Sequence, residues 1–563
     1  MIEHYILSGR NLTYVAHLKI RMKTGTISGV LAFAAASVAV WVAFLTTTPS
    51  AQALPLFARQ TGQPCGNCHT DVLGLTPFGR RFKLGGYTLG GGPFRKTLFP
   101  IPPSGKVFPT VSDFNSVLAP GSAPKDAVAE LRSYAETTSG SGDQLRKPPQ
   151  GSAQQAINSS FAAVQPQAEE DPGWLPPLAV MLIAGSTHTQ APDPGWTPGV
   201  NQWKANDNVG MAQASLFAGG AMSDNVGVFA QLTYAFPGIA DPAGVWTWDN
   251  VDVRYATAGQ IAGVDVLFGI TAHNNPTVQD VWNTAPAWTH PYFTTQLGFT
   301  GPAAATVIDG PYGQRVGGVG GYLFINDMLY LEATGYKTLG FNATKRLGAD
   351  PLGGPGQIAG IAPYGRIALE QRFGDHNLMV GGFASRFEVY PWAFNGDPTI
   401  VGESSYGMTN KYTDYGVDTQ YQYRGADYWV IMKAAYIRED QRYDAGWTSA
   451  VQPANLTNGL NTLRVSSTVA IGGDNRVVAT GQYFRTWGTP DIGLYAANAG
   501  NVPDTTGFMA ELAYLPFGTS KSPYWPWFNT RVGVQYFYYT KFDGDTATPH
   551  DKNTFIVYST ILF

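Results

Sequence analysis

The sequence predicts a membrane-spanning antiparallel β-barrel of about sixteen strands, and three observations predict it. Charged residues are 13% of the 563-residue chain, while aromatics also reach 13% and glycines number 66; the charged share is about half that of a soluble globular protein. Beyond about residue 53 no apolar run reaches the ~18 residues a spanning helix needs. From residue 178 onward, apolar and polar residues alternate in segments joined by short and long connections in turn, the pattern of a barrel with one face to lipid and one to a lumen. The mean hydropathy of -0.11 is the average of those two faces.

The chain reads in four parts, of which the first is residues 1–53. Lys19, Arg21 and Lys23 precede an apolar stretch from about Ile27 to Leu45, and Ala51-Gln52-Ala53 supplies a small-x-small cleavage signal. This reads as a secretory signal peptide removed after Ala53, with Met22 as a second candidate start. A retained anchor agrees with the length of the apolar run but leaves the Ala-x-Ala site unexplained.

Residues 54–108 hold the only two cysteines, in Cys65-Gly66-Asn67-Cys68-His69. Two thiols at i and i+3 can reach both vinyl groups of one haem, and the next imidazole is placed to ligate its iron. The spacing therefore reads as a c-type haem attachment site, with Cys65 and Cys68 as covalent anchors and His69 as proximal ligand. A disulfide across that gap would leave His69 unexplained, and a structural zinc site needs four ligands where this segment offers three. Arg59, Arg80, Arg81 and Lys83 are candidates for pairing haem propionates, because guanidinium forks bind carboxylates bidentately. The same cations could orient the segment in a lumen lined by acids such as Glu370, Asp414 and Asp418. Between Leu54 and Val180 there is no methionine and no histidine except His69. A distal iron ligand would thus come from the barrel, with Met181 the nearest candidate and His188 the next, or the iron is five-coordinate. A segment this short is at the lower limit of an independent core, so it is expected to dock against or inside the barrel, whose lumen at about sixteen strands accommodates a plug.

Residues 109–172, rich in Ala, Ser, Gly, Gln and Pro, read as a low-complexity linker with one short helix near 125–135. Residues 173–563 are the barrel. Strands are expected near 178–190, 208–222, 226–236, 245–257, 263–273, 315–325, 328–337, 363–373, 376–389, 412–424, 427–439, 461–472, 475–487, 507–517, 530–542 and 553–563. Within 414–424, Tyr415, Val417, Thr419, Tyr421 and Tyr423 form one face, against Asp414, Asp418, Gln420, Gln422 and Arg424 on the other. Ser223-Asp224-Asn225, Asn326-Asp327, Gly374-Asp375, Gly425-Ala426 and Gly473-Asp474 read as tight hairpin turns. The connections 274–314, 338–362, 390–411, 440–460 and 488–506 are long. In bacterial outer-membrane barrels the short turns are periplasmic and the long loops extracellular, and the alternation ending at Phe563 resembles their C-terminal signal.

The run Phe57-Ala58-Arg59-Gln60-Thr61-Gly62, then Cys65 to His69, then Gly79-Arg80, Phe82-Lys83 and Gly86-Tyr87, resembles the N-terminal signature of fused outer-membrane monohaem cytochrome-porins that oxidise extracellular Fe(II). The specific match covers about thirty residues; beyond it the likeness is architectural. It implies one covalent haem c passing electrons from Fe(II), or another donor, to a soluble periplasmic carrier such as a cytochrome, with the haem module on the periplasmic side or within the lumen. A diffusion porin whose haem segment is a structural or sensory plug is the alternative. The net charge of -4 gives no support to nucleic-acid binding, and no dinucleotide fingerprint, phosphate loop, zinc-protease motif or serine triad is present.

Overall fold

The computed structural model describes residues 56–61, 65–70, 74–88, 177–192, 204–237, 244–285, 304–350, 353–391, 407–425, 427–446, 448, 451–471, 477–517, 524 and 527–563. The leader reading of 1–53, the linker reading of 109–172 and the Gly473-Asp474 turn lie outside the described residues.

The strands are β1 (Leu178–Thr189), β2 (Asn208–Ala221), β3 (Val226–Ala235), β4 (Val245–Ile261), β5 (Val264–His273), β6 (Val316–Ile325), β7 (Leu329–Thr338) and β8 (Ala362–Phe373), followed by β9 (His376–Tyr390), β10 (Asn410–Arg424), β11 (Tyr428–Tyr443), β12 (Thr457–Ile471), β13 (Val477–Gly488), β14 (Thr505–Tyr514), β15 (Asn529–Lys541) and β16 (Thr554–Leu562). A two-residue strand, Gln357–Ile358, pairs with the end of β9. Each long strand runs antiparallel to its sequence neighbours, and β16 returns to β1 in register from Met181↔Leu562 to Thr189↔Thr554. The Val180 amide donates to the Phe563 carbonyl at 3.0 Å and the Phe563 amide to the Val180 carbonyl at 2.8 Å, which seals the seam. The sheet is thus a closed barrel of sixteen long strands, and closure removes the unpaired edges of an open sheet.

Alternation sets the two faces. Ile367 and Leu369 are each 54% exposed, whereas Arg366 and Glu370 are 4% and 2% exposed. Tyr415 and Val417 likewise point outward while Asp414, Asp418, Gln420 and Gln422 are buried in the lumen. An apolar outer wall with every backbone group paired around the ring is the condition for crossing a bilayer with strands. No helix among the described residues is long and apolar enough to cross a membrane.

The β6–β7 turn has Asn326 and Asp327 at φ 53° and 52°, the left-handed pair of a type I′ hairpin. The β4–β5 turn uses Ala262 and Gly263 at φ 52° and 78°. These turns lie at the end where β1 begins and β16 finishes; most of the long connections lie at the other, and 515–528 is a long one at this end. One long connection turns inward: after β5, residues 276–285 bury Val281, Trp282 and Ala285 inside the ring.

Candidate functional site

The segment before the barrel forms α1 (Leu56–Thr61), α2 (Cys65–Cys68) and α3 (Pro77–Leu84). Helix α3 starts where the chain supplies a cap: the Thr76 hydroxyl accepts from the Gly79 amide at 3.1 Å, with Pro77 at the first helical position, where its missing N–H costs nothing. It stops at Gly85, whose amide donates to the Arg81 carbonyl at 2.7 Å.

Helix α2 is a single turn that places backbone positions 65 and 68 one turn apart, with His69 next, paired in a β-bridge with Leu75. The Thr76 amide donates to the Cys68 carbonyl at 2.9 Å, which holds that turn against the start of α3. The contact leaves no room for a side chain: a Cβ on Gly79 would lie 2.1 Å from the Cys68 carbonyl oxygen. Gly79 in the resembled signature thus has a local cause in the close approach of α3 to the cysteine turn.

The segment is fixed to lumen-facing groups near the tight-turn end of the barrel. Arg80, 1% exposed, donates from Nε to Glu370 Oε2 at 3.0 Å and from Nη2 to Glu370 Oε1 at 2.6 Å. Its remaining donors reach Asn377 Oδ1 at 2.9 Å, Gln420 Oε1 at 3.1 Å and the Leu75 carbonyl at 2.5 Å. Five bonds use all five guanidinium N–H groups. Arg80 is therefore directed to the wall, and of its two expected roles the orienting one is what these bonds perform. Glu370 also accepts from Trp282 Nε1 at 2.9 Å and from Asn377 Nδ2 at 2.9 Å, so one carboxylate joins wall, plug segment and inward loop.

Further contacts repeat the arrangement around the ring. Arg81 pairs with Asp327 in the β6–β7 turn, Tyr322 Oη donates to the Leu84 carbonyl at 2.5 Å, and Tyr87 Oη donates to Asp252 Oδ2 at 2.5 Å. Gln422 Nε2 and Arg424 Nη2 donate to the carbonyls of Leu75 and Gly66 at 3.0 and 3.3 Å. On the opposite wall Gln60 Nε2 donates to the Gly219 carbonyl at 2.7 Å, and Arg59 bonds the Leu178 carbonyl with its guanidinium over Trp527. Tyr87 adopts φ +56°, which costs about 1–3 kcal/mol for a bulky residue. Its ring stacks on Phe57 at 5.5 Å and meets Phe82 edge-on at 6.3 Å, contacts that offset the strain. At the next strand a Cβ on Gly227 would sit 1.8 Å from the Gly86 carbonyl oxygen, so β3 accepts the segment only through glycine.

Lys83 points into a different charge cluster. Burial lowers its ammonium to about 8, and Arg254 adds to the effect, while Asp252, Asp280 and Glu332 oppose it. The docked state therefore binds fewer protons than a released one between about pH 8 and the ordinary lysine range, and docking strengthens as pH rises through that window. Protease protection of residues 56–88 is expected to be greater at pH 10 than at pH 8, and Lys83→Met should flatten that dependence. A profile unchanged by Lys83→Met would rule Lys83 out as its origin.

The two distal-ligand candidates separate by face. Met181 lies on the lumen side of β1, 4% exposed, in an apolar cluster with Ile183, Met509, Phe537 and Tyr558. His188 alternates to the outer side near the long-loop end, its Nδ1 2.6 Å from Asp207 Oδ1. Among the described residues no group of three or more His, Cys, Asp or Glu side chains is placed to hold a metal ion. Trp282 and the joining role of Glu370 were missed by sequence reasoning; the only signal was a large aromatic in a long connection.

No family model matches the sequence, and no curated protein matches it. The solved structures to which the chain is similar are matched at low identity. Salmonella typhi OmpF, in a complex with daunomycin, is 13% identical over 69% of this chain and 97% of that one, with a TM-score of 0.40. Pseudomonas putida OprB is 13% identical over 68% and 92%, TM-score 0.40, and a loop-deleted OmpT of Vibrio cholerae 12% over 69% and 98%, TM-score 0.37. The architecture stands on the strand pairing itself: a porin-like β-barrel of the outer-membrane type, with its N-terminal segment bound to lumen-facing groups.

Proposed function

We propose that the chain carries electrons across the bacterial outer membrane through one covalent haem c, most simply from extracellular Fe(II) to a soluble periplasmic carrier. The observation that carries this reading is the Cys65-to-His69 turn, packed on Gly79 and bonded through Gly66 and Leu75 to Arg424 and Gln422 of the wall. The donor set fits the group: two cysteines on one helical turn with an imidazole next to them. Cys65 and Cys68 would hold the haem as thioethers and His69 would ligate its iron. When bound, such a group supplies one-electron oxidation and reduction. The chain's own residues hold the attachment turn inside a protein ring where lipid offers no electron path.

A second reading is favoured by the porin-like barrel: a diffusion porin in which the same segment is a structural or sensory plug. Proteoliposomes enclosing an electron acceptor separate the two. The conduit reading expects external Fe(II) to reduce the haem and then the enclosed acceptor, one electron per Fe(II) oxidised. Free passage of small solutes with no reduction of haem or acceptor would leave the porin reading standing alone.

A further inference from the structure

The outer wall of the barrel carries a charged groove at the long-loop end that the readings above do not use. Three successive rungs of outward residues cross β9 to β12 in register. The first runs Ala384–Tyr415–Arg438–Asn461, the second Arg386–Thr413–Asp440–Gly459 and the third Glu388–Lys411–Arg442–Thr457. Thr413, Gly459 and Thr457 are small and form the floor, and Arg438 lies across Gly459, where a Cβ would come within 2.8 Å of its Nη2. The result is a cavity of about 540 Å³ lined by Arg386, Lys411, Arg438, Arg442 and Asp440, with Glu388 and Asp444 bonded to its cations from beside it.

Its depth in the membrane follows from the strands. On β11 the outward residues from the tight-turn end are Tyr428, Val430, Met432, Ala434 and Tyr436, and only then Arg438, Asp440 and Arg442. At ~3.3 Å per residue and a tilt of ~40°, Tyr428 to Tyr436 rises about 20 Å, close to the ~25 Å apolar band of such barrels. Tyr436 and Trp487 meet with ring centroids 6.0 Å apart, and Arg485 stacks on Trp487 at 4.7 Å, as expected of an interfacial aromatic girdle. The groove begins one residue pair beyond that girdle, at the level of the outer-leaflet headgroups.

Its cations are held ready for an anion. Arg386 bonds Glu388 at 2.7 Å, Arg438 bonds Asp440 at 2.8 Å, Arg442 bonds Asp444 at 2.7 Å and Lys411 bonds Asp444 at 3.1 Å. Each carboxylate takes one or two of the five N–H groups of a guanidinium and fixes its direction, leaving the others for a ligand. Lys411 and Arg442 stand directly opposite each other across the ladder, and Asp444 bonds both, which offsets the repulsion of like charges facing across a strand pair.

We propose that this groove binds the phosphorylated sugar headgroup of the outer-leaflet glycolipid. Phosphate oxygens would meet the Arg438 and Arg442 forks, Lys411 would add a point charge, and the acyl chains would descend over Tyr415 and Val417. The barrel would thereby be seated at a fixed depth by a lipid present on that side of the membrane alone. The reading is independent of any haem.

Native mass spectrometry of the full-length protein titrated with bis-phosphorylated lipid A, dephosphorylated lipid A and phosphatidylglycerol tests it. The phosphorylated form is expected to bind at least tenfold tighter than the other two. Arg438→Gln/Arg442→Gln should lose that preference, and Arg438→Lys/Arg442→Lys should restore part of it, with heat-modifiable gel mobility showing each variant folded. Equal binding of phosphorylated and dephosphorylated lipid A, or a glutamine variant that binds as the parent does, would overturn the proposal. Equal binding of phosphatidylglycerol would reduce the groove to a general anionic surface and overturn it too, as would cross-links from the groove that join copies of the chain.

Discussion

Replacing both Cys65 and Cys68 by alanine is expected to abolish haem staining on a denaturing gel while leaving the barrel's heat-modifiable mobility unchanged. The two thioethers would be the only covalent links to the haem, so their loss leaves at most a coordinate bond that denaturant breaks. The barrel should survive because its ladder runs from Leu178 to Leu562, over a hundred residues beyond the cysteines, and closes on itself. His69→Ala is expected to keep the stain and change the optical spectrum, because attachment and ligation are separate bonds. Met181→Ala tests the lumen-facing distal candidate in the same way, by a change in ligand signature and potential. Undiminished staining in the double cysteine variant would remove the haem reading and leave the plugged porin.

The barrel was legible because a wall with lipid on one side and polar groups on the other writes itself as a period of two. The strand expected over 376–389 is His376–Tyr390, and that over 363–373 is Ala362–Phe373. Two of the larger misses lie at the long-loop end. The strand expected over 427–439 continues to Tyr443, and that over 461–472 begins at Thr457. There Arg438, Asp440 and Arg442 face outward above the apolar band, so the alternation of hydrophobicity ends while the hydrogen-bond ladder goes on. The β4–β5 hairpin was placed short because Ala262-Gly263 takes a left-handed turn that its sequence does not announce. The cysteine motif was legible for the opposite reason, being local. Docking against or inside the barrel was expected from the shortness of the segment, but the contact that makes it was not legible, because Arg80 finds Glu370 across 290 residues, a distance over which no periodicity speaks. The acidic lumen that receives the basic segment was legible as a charge pattern, with Glu370 among its expected acids; that Arg80 is the cation it takes was not.

Glu370→Gln is expected to release the plug segment from the wall, raising single-channel conductance in planar bilayers and exposing residues 56–88 to protease. Arg80 and Glu370 are each 1% exposed at the side chain, and removing one partner of such a pair strands the other without compensation, at a cost of about 3–5 kcal/mol. The loss spreads, because the same carboxylate holds Trp282 and Asn377: the inward loop should loosen together with the segment. Arg81→Ala is the contrast. Its pair with Asp327 is 42% and 34% exposed, and a surface pair contributes about 0–1 kcal/mol, so conductance and protease protection should remain near those of the parent. Arg80→Met, Glu370→Met and the double variant Arg80→Met/Glu370→Met form a cycle. If the two groups act as one joint, the double variant should lose less than the two single losses added, because neither charge is left buried alone. Strictly additive losses would show that Arg80 and Glu370 stabilise the barrel separately. Parent-like conductance and protection in Glu370→Gln would show that the remaining contacts, Tyr87 to Asp252 and Gln422 to Leu75 among them, hold the segment without it.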